Sequence, residues 1–546
     1  MFLKIKLARH KFKNFLDSKK FYFPIIFLIT ISILLRLQFL LTKAGDLFLP
    51  NLGGDPCHHF NLAFNIASGS GPVTNFIFSY WFNHFDLPAL TDIYPPGTHI
   101  YIALFLKVFS KSFFVARLAV FIASLFTIYL GYRIGEKING KITGLISAVF
   151  IAFNAVHIEH SVLVMTPVIT LLALQLFVLF MLSSEKLHFS ILSGLSLGWA
   201  ALCQNGAIIL YPLAIIYFWT FKISTKQKLV LVSFFSIFFL LTIIPWVYKT
   251  YIYFGSPLYT HMKYYPFINN FMDMMSSKTP PNTIEIINNI NYISYMKDLM
   301  YWFTMNLIRG LKYMTPLFMQ PLAIFLPYFL YCALKRPSTS KNALFMLIMT
   351  IIIFVPFVFA SSAMSGRLFP RHYILFLAFL PPLFAIGLEA SYQNLKIKWP
   401  YLEINFNKTR IILFVLLITG VTALYNEIKS SPWRQNNEKL YRIGNDIKKI
   451  TEKDSVIMYA FTPQDAWCLT GRNTVSDPIF GFFNQPSIRA KEVVDKYNVK
   501  YLLVDQDDQI YKRSDIYFSE FLYNGLKLKK IYKSPNKEIM LFEIEK

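Results

Sequence analysis

The stretch Asn51-Leu-Gly-Gly-Asp-Pro-Cys-His-His-Phe-Asn-Leu-Ala-Phe-Asn-Ile-Ala-Ser-Gly-Ser-Gly71 follows the first long apolar segment and places a carboxylate, Asp55, directly after a Gly-Gly pair. About twenty residues later comes a second segment rich in Pro and Gly, Asp92-Ile-Tyr-Pro-Pro-Gly-Thr-His99. An acid beside a membrane segment costs free energy unless it is paired or functional. The interpretation of the chain therefore depends on the side of the membrane that Asp55 occupies.

The composition is that of an integral membrane protein. The 546 residues are 55% hydrophobic and 17% aromatic, and the mean hydropathy is positive. The net charge is +24, but the basic residues lie in short stretches between apolar runs, so no nucleic-acid partner is predicted. The four cysteines are scattered and indicate neither a disulfide scaffold nor a zinc site.

Eleven apolar segments are predicted to span the membrane, so we expect a polytopic α-helical membrane protein with about 11 transmembrane helices. The first segment follows a basic arm and ends in no small-residue cleavage site, which indicates a retained signal anchor. The two segments around Cys203-Gln-Asn-Gly206 are short, as in a tight hairpin or one long helix. The segments are Phe21–Leu41, Phe113–Tyr132, Ile142–Val156, Val162–Leu182, Phe189–Leu202, Ala207–Phe221, Leu229–Tyr248, Leu317–Leu334, Leu344–Ala360, Tyr373–Leu388 and Ile411–Tyr425.

The apolar piece Pro95–Phe109 is shorter than a span, and the distribution of basic residues indicates that it lies at the interface. If it does not cross, every basic loop from the N-terminal arm to Lys396–Arg410 falls in the cytoplasm. This topology predicts a multi-pass plasma-membrane protein with a cytoplasmic N-terminus. The loop Lys43–Ser112, the turn His157-Ile-Glu-His160 and the residues after Tyr425 are then external.

After Tyr425 the chain becomes polar, with short apolar strands between amphipathic helical patterns, which is typical of a small α/β domain. We therefore predict a transmembrane domain over residues 1–426 and an extracytoplasmic α/β domain over residues 427–546. The predicted strands are Ser455–Tyr459, Val499–Val504 and Ile539–Ile544, and the predicted helices are Glu438–Ile450, Ser487–Tyr497 and Ser514–Gly525.

Gly54-Asp55, the run from His59 to Gly71 and Tyr94-Pro-Pro-Gly97 occur in an order that resembles the first external loop of GT-C glycosyltransferases. The nearest group is that of the dolichyl-phosphate-mannose:protein mannosyltransferases and aminoarabinose transferases. Phe369-Pro-Arg-His-Tyr373, leading into Leu380-Pro-Pro382, resembles the late Arg-Tyr segment of that group. The resemblance implies a hexosyl- or pentosyltransferase that takes a sugar from a polyprenyl-phosphate donor. The acceptor would be a protein or an envelope glycolipid at the external face of the membrane.

The resemblance assigns Asp55 as the general base that acts on the acceptor hydroxyl. The chemistry agrees, because the lipid phosphate is its own leaving group and the reaction then needs a base and cations. A capping role is compatible with this one, since Asp-Pro begins many helices. Glu159 is the second candidate, because this chain has Thr166 where the group often places an acid before the proline of the fourth span.

Arg371 and Arg367 are predicted to bind the donor phosphate through charge-assisted hydrogen bonds, although arginines at span ends also snorkel to the interface. Where the group usually has a lysine or arginine, this chain has Gln204 and Asn205, which predict a weaker contact with the phosphate. Six further residues are predicted to contact the substrates, namely His58, His59, Tyr94, His99, His372 and Tyr373.

A divalent metal has a candidate set of ligands in His58, His59, His157, Glu159 and His160, although histidines at membrane interfaces are usually amphipathic anchors. No nucleotide or flavin is expected, since no Gly-rich phosphate loop follows a strand. Arg36, inside the first span, is expected to pair internally or to snorkel.

Two other classes of protein stay open. A transporter or a flippase of lipid-linked glycans would have paired, Gly/Pro-broken spans and polar groups in mid-membrane. This chain instead collects its acids, histidines and arginines on the external side. A noncatalytic membrane scaffold with a partner-binding tail would be consistent with Thr166 and Gln204-Asn205 standing where the group has charged residues.

Overall fold

The computed structural model describes residues 22–42, 49, 55–77, 86–260, 292–314, 326–335, 341–352, 370–398, 438–459, 463–476, 490–505, 520–523, 526–535 and 539–545. The predicted span Ile411–Tyr425 and the predicted phosphate ligand Arg367 lie outside these residues. In chain order the helices are α1 Tyr22–Thr42, α2 Asp55–Ala67, α3 Gly97–Val108, α4 Phe113–Asn139, α5 Lys141–Ala152, α6 Ala155–His160, α7 Pro167–Met181, α8 Leu187–Cys203, α9 Leu210–Trp219, α10 Thr225–Phe254, α11 Tyr292–Met314, α12 Leu326–Lys335, α13 Lys341–Ile352, α14 Leu380–Lys398, α15 Glu438–Ile450, α16 Pro463–Thr470 and α17 Ala490–Tyr497.

Local signals in the sequence set the ends of the long helices. The side chain of Ser112 accepts a hydrogen bond from the Val115 amide at the start of α4. Ser224 and Gln227 form a capping box at the start of α10, which ends at Gly255 with a left-handed φ of 69°. Such caps satisfy backbone groups that a helix leaves unpaired at its ends.

Among the described residues, two helices are long and apolar enough to cross a membrane, α4 and α10. The pair Arg371–Ala378 and Leu380–Ser391, bent by 58°, makes a third if it counts as one span. Helices lie in every predicted span that the structure describes, but several are short: α5 has 12 residues, about 18 Å at 1.5 Å per residue. The number of crossings, predicted as eleven, stays a prediction.

The structure decides one alternative and corrects one local prediction. The chain around Gln204 is not one long helix, the less favoured alternative, because α8 ends at Cys203 and the 3₁₀ helix Asn205–Ile209 separates it from α9. The turn predicted at residues 157–160 is the end of the short helix α6, whose first turn is capped by the Asn154 side chain. The apolar segment Pro95–Phe109, predicted to lie at the interface, contains the 12-residue helix α3.

Helix α8 packs closely against α10 through small residues. A Cβ atom added at Gly194 would lie 2.3 Å from the Phe235 carbonyl oxygen, and one added at Gly198 would lie 2.6 Å from the Thr242 side chain. The absence of side chains at these two positions therefore sets the distance between the helices, as at many membrane helix interfaces.

A mixed sheet forms the C-terminal part, as the alternating pattern predicts. The described strands are β1 Val73–Thr74, β2 Phe76–Ile77, β3 Ala89–Leu90, β4 Val456–Tyr459, β5 Asn473–Ser476, β6 Val499–Asp505, β7 Glu520–Tyr523, β8 Leu526–Lys533 and β9 Ile539–Glu545. The spatial order in the sheet is β2-β5-β4-β6-β9-β8-β7, where β2, β5, β4 and β6 run parallel and the other neighbours antiparallel. A separate pair, β1 with β3, lies in the first loop.

The predicted helix Ser514–Gly525 is wrong where the structure describes it, because Glu520–Tyr523 is strand β7. It pairs with β8 in the register Glu520↔Lys529 and Tyr523↔Leu526, so two residues connect the strands. Those residues are Asn524-Gly525, a sequence that favours a tight hairpin. This turn signal outweighs the helical spacing of the apolar residues.

The sheet receives a strand from the first loop, which the sequence did not predict. Strand β2 pairs in parallel with β5, and Asn75 just before β2 donates from its side-chain amide to Asn473 Oδ1 at 3.1 Å. Next to this edge, the Trp467 ring of α16 lies 6.3 and 6.2 Å from the rings of Phe60 and Phe64 on α2. The C-terminal part thus packs directly on the helix that begins with Asp55.

Candidate active site

The site forms around the carboxylate of Asp55, the first residue of α2. A negative charge is stabilised in the first turn of a helix by the unpaired amides and by the helix dipole. Arg371, in the 3₁₀ helix Pro370–Ala378, places Nη1 2.7 Å from Asp55 Oδ2. The hydroxyl of Tyr94, in the turn before α3, donates to Asp55 Oδ1 at 3.1 Å. Three distant segments of the chain therefore meet at one carboxylate, with one partner on each oxygen.

The ion pair lies where a ligand can reach it. The side chains of Arg371 and Asp55 keep 28% and 29% of their accessible surface. An ion pair of this exposure contributes little to stability, since solvent screens it. Solvent and small solutes can therefore reach both charges.

Three histidines line α2 and α3 beside the carboxylate. His59 Nδ1 lies 2.8 Å from His99 Nε2, and His99 Nδ1 lies 3.2 Å from the Pro95 carbonyl oxygen. The His59 ring is 4.4 Å from the Tyr94 ring, and His58 packs edge-on against Tyr94 at 4.9 Å. The structure thus brings four of the predicted substrate contacts, His58, His59, Tyr94 and His99, next to Asp55.

Burial favours the neutral form of the His59 and His99 imidazoles. Desolvation lowers the pKa of His99 to about 3, with its hydrogen bond to Pro95 acting in the opposite direction. Desolvation also lowers the pKa of His59 well below its usual range, followed by the effects of His99, His58 and Arg371. The neutral rings can accept hydrogen bonds, so they add dipoles rather than charge to the site.

A second group surrounds Arg371 from the side of α6. Burial lowers the pKa of His160 to about 4, opposed by a hydrogen bond to the Val156 carbonyl and assisted by the charge of Arg371. His372 follows Arg371 directly and also interacts electrostatically with it and with His160. Glu159, the second predicted base, is half-buried on α6, which packs against the 3₁₀ helix of Arg371.

Gln204 and Asn205 lie at the end of α8, which packs on the start of α3. A Cβ atom added at Gly97 would lie 2.6 Å from the Leu202 backbone, and Trp199 Nε1 donates to the Gly97 carbonyl at 3.2 Å. The two amides are therefore near the turn that carries Tyr94. Their role at the phosphate stays a prediction.

Other predicted residues have different surroundings. Tyr373 is fully buried and its hydroxyl donates to the Asn306 carbonyl at 2.7 Å, so its predicted substrate contact finds no support in its position. His157 Nδ1 lies 2.7 Å from Arg36 Nη2, and Thr127 Oγ1 lies 2.9 Å from His157 Nε2. Arg36 also donates to the carbonyl of Ala152, which confirms that it pairs internally.

The candidate metal ligands do not come together. His157 is engaged with Arg36 and Thr127, away from His59 and His99, which bond to each other. Over the part of the chain that the structure describes, no group of three or more His, Cys, Asp or Glu side chains could hold a metal ion. The described residues therefore do not fit a divalent metal, and no step below uses one.

The sequence analysis missed an amide cluster that holds α2 in place. Asn65 donates to the Asn75 side chain at 2.7 Å, and Asn61 Oδ1 accepts from the Asn75 backbone amide at 3.1 Å. Asn61 and Asn65 are four residues apart on a helix, where asparagine is unfavourable unless its side chain is bonded. The spacing of four residues between Asn61 and Asn65 is the sequence signal from which this cluster could have been predicted. The cluster links the helix of Asp55 to the edge of the C-terminal sheet.

Part of the chain matches a known family. The family described as dolichyl-phosphate-mannose-protein mannosyltransferase matches residues 94–248, which begin at Tyr94 and exclude both Asp55 and Arg371. No curated protein sequence matches the chain.

Solved structures extend the likeness to nearly the whole chain. ArnT from Cupriavidus metallidurans bound to undecaprenyl phosphate has a TM-score of 0.61 and 12% identity, covering 96% of this chain and 98% of its own. The oligosaccharyltransferase AglB from Archaeoglobus fulgidus, in complex with an inhibitory peptide and a dolichol-phosphate, has a TM-score of 0.58 and 13% identity, covering 96% and 74%. The arabinofuranosyltransferase AftD from Mycobacteria has a TM-score of 0.55 and 11% identity, covering 97% and 40%.

The predicted resemblance is thereby confirmed at the level of the fold, which the chain shares with the solved glycosyltransferases ArnT, AglB and AftD. Residues 94–248 are in addition similar to the protein-mannosyltransferase family.

Proposed function

We propose that this protein transfers a sugar from a polyprenyl-phosphate donor to a hydroxyl of a protein or envelope glycolipid at the external face of the membrane. Asp55 is the general base and Arg371 holds the phosphate. The observation that carries the proposal is the ion pair of 2.7 Å between these two residues, beside Tyr94. The structural neighbours bound to dolichol-phosphate and undecaprenyl phosphate support the class of donor.

The placement fits a single displacement. The oxygen of the acceptor hydroxyl forms a bond to the anomeric carbon of the sugar while the bond from that carbon to the phosphate oxygen breaks. The hydroxyl proton passes to the Asp55 carboxylate, and the bonding electrons leave with the lipid phosphate. A base within hydrogen-bond reach of the hydroxyl and a guanidinium on the phosphate are the two groups that this reaction needs.

In the protein without donor, the guanidinium of Arg371 is bonded to the proposed base, at Asp55 Oδ2. The donor phosphate is a diester with one negative charge and two free oxygens, which the planar guanidinium can bind bidentately. Binding of the donor would therefore place a competing anion beside Arg371 and allow Asp55 to bond to the acceptor. The charge of the phosphate rises as its bond to the sugar breaks, which strengthens its contact with Arg371. Tyr94 keeps its hydrogen bond to Oδ1 during this exchange and so maintains the orientation of the carboxylate.

The topology completes the proposal. The transmembrane domain, residues 1–426, lies in the plasma membrane as a multi-pass unit with its N-terminus in the cytoplasm. The α/β domain, residues 427–546, is extracytoplasmic. It borders α2 through Trp467, so it would lie beside the entrance for the acceptor.

The test uses purified protein in lipid with a mixed pool of radiolabelled polyprenyl-phosphate sugars. Asp55→Asn keeps the size of the side chain but removes the base, and we expect transfer to fall about a hundredfold or more. Asp86→Asn, an exposed carboxylate of the same loop, is the matched control and should stay near the parent rate. Equal activity of parent and Asp55→Asn would refute Asp55 as base and leave Glu159. A parent that binds donor without transferring sugar would favour a flippase or a scaffold.

A further inference from the structure

The hydrogen-bond chain through His99 fixes where the protons lie on the two histidines. A carbonyl oxygen can only accept, so His99 Nδ1, 3.2 Å from the Pro95 oxygen, carries a proton. A neutral imidazole has a single N–H, so His99 Nε2 has a lone pair and accepts. His59 Nδ1, 2.8 Å from that atom, must therefore donate to it. This leaves His59 Nε2 unprotonated.

His59 Nε2 has no hydrogen-bond partner among the residues that the structure describes, although the side chain is only 1% exposed. This atom is therefore an acceptor that the described part of the fold leaves available to a ligand. Among the described residues, the ring contacts of His59 are to His58, Tyr94 and His99.

The position of His59 relates this atom to the reaction. His59 is four residues after Asp55 on α2, so both side chains lie on the same face of the helix, one turn apart. The Tyr94 ring packs on His59 while its hydroxyl donates to Asp55, and the charge of Arg371 acts on the His59 ring. A sugar joined to a phosphate on Arg371, with its anomeric carbon near Asp55, would lie within a few ångströms of His59.

We propose that His59 Nε2 accepts a hydrogen bond from one hydroxyl group of the sugar being transferred, and that His99 holds it in the accepting tautomer. This inference rests on the proposed function. His59 is then a residue that determines specificity and His99 a positioning residue, because only His59 touches the substrate. An acceptor-only atom in a buried site selects a hydroxyl at one position of the sugar ring and rejects a donor that lacks it.

The test measures kcat/KM of the full-length protein in lipid with the preferred polyprenyl-phosphate sugar and with its monodeoxy analogues. In the parent, removal of one particular sugar hydroxyl should lower kcat/KM about tenfold to a hundredfold more than removal of any other. In His59→Phe, which keeps a ring and removes both nitrogens, removal of that hydroxyl should lower kcat/KM no more than removal of the others. His99→Phe should weaken the same discrimination partly, because the His59 Nδ1 proton then loses its acceptor.

A matched control separates this effect from general damage. His188→Phe changes an exposed histidine in the first turn of α8, and its deoxy profile should equal that of the parent. If His59→Phe loses activity equally toward every analogue, His59 only packs and the inference is refuted while the proposed function stands. If the parent neither binds nor turns over any polyprenyl-phosphate sugar, the proposed function fails and this inference fails with it. His59→Gln provides a variant with an acceptor near the Nε2 position, and recovery of the discrimination there would support the assignment.

Discussion

Arg371 and Asp55 form an ion pair with 2.7 Å between Nη1 and Oδ2, and this contact joins the start of α2 to the 3₁₀ helix that precedes α14. One residue is the proposed base and the other the proposed phosphate ligand. Their contact means that the protein without ligand holds this carboxylate in a paired state. If the proposed function is correct, the donor phosphate competes with Asp55 for Arg371.

Arg371→Gln is expected to raise the KM for the lipid donor by about tenfold to a hundredfold, because a charge-assisted contact with phosphate is lost. Arg371→Lys should recover part of it, since a lysine keeps the charge but not the bidentate geometry. The measurement is initial rate against donor concentration in nanodiscs. Arg133→Gln, which breaks a half-exposed pair with Glu136, is the control and should leave KM unchanged. An unchanged KM in Arg371→Gln would remove Arg371 from the phosphate site.

Trp467→Ala should loosen the C-terminal part from α2. The indole packs against Phe60 and Phe64, and the loss of such aromatic contacts costs about 1–3 kcal/mol. Hydrogen exchange by mass spectrometry should then show faster exchange in α16 and in the Val73–Ile77 segment. Trp219→Ala, at an exposed ring, should leave both segments as they are. Equal protection in Trp467→Ala and the parent would show that the strand pairing alone holds the parts together.

Gly194→Ala should destabilise the packing of α8 on α10. The added methyl group would lie 2.3 Å from the Phe235 carbonyl oxygen, so the helices must separate, at a cost of about 1–3 kcal/mol. The thermal unfolding temperature in detergent is the readout. Gly206→Ala adds a methyl group with no atom within 4 Å and should shift that temperature little. Equal temperatures for the two variants would contradict this account of the interface.

Stability should rise with pH between about pH 4 and 6.5. Burial lowers the pKa of His99 from 6.5 to about 3 and that of His160 from 6.5 to about 4. In that window the unfolded chain binds protons that the folded protein does not, so acid favours unfolding. Thermal unfolding at pH 7.5 and pH 5 should show this loss, and His160→Gln should reduce the difference. A His160→Gln protein with the full pH dependence of the parent would exclude His160 as a contributor.

The sequence predicted the parts of this site that local patterns encode. Asp55 and Tyr94 lie in segments with Gly and Pro residues between apolar runs, where a polar residue is costly without a role, and the structure brings the two side chains into contact. The contact of His59 with His99 was not predicted, because it depends on how α2 and α3 pack. Strand β2 was missed for a different reason: a two-residue strand has no periodicity, and only its partner in the C-terminal part defines it.

The pairing of β2 with β5 has a consequence for biosynthesis. Asn75 and Asn473, which bond across this edge, are 398 residues apart. At 5–20 residues per second, the ribosome needs roughly 20–80 s to reach the second after the first. During that interval the loop that carries Asp55 has been synthesised, while the strand that it pairs with does not yet exist. The helix that begins with Asp55 therefore gains the support of this pairing only after the chain has been synthesised past Asn473.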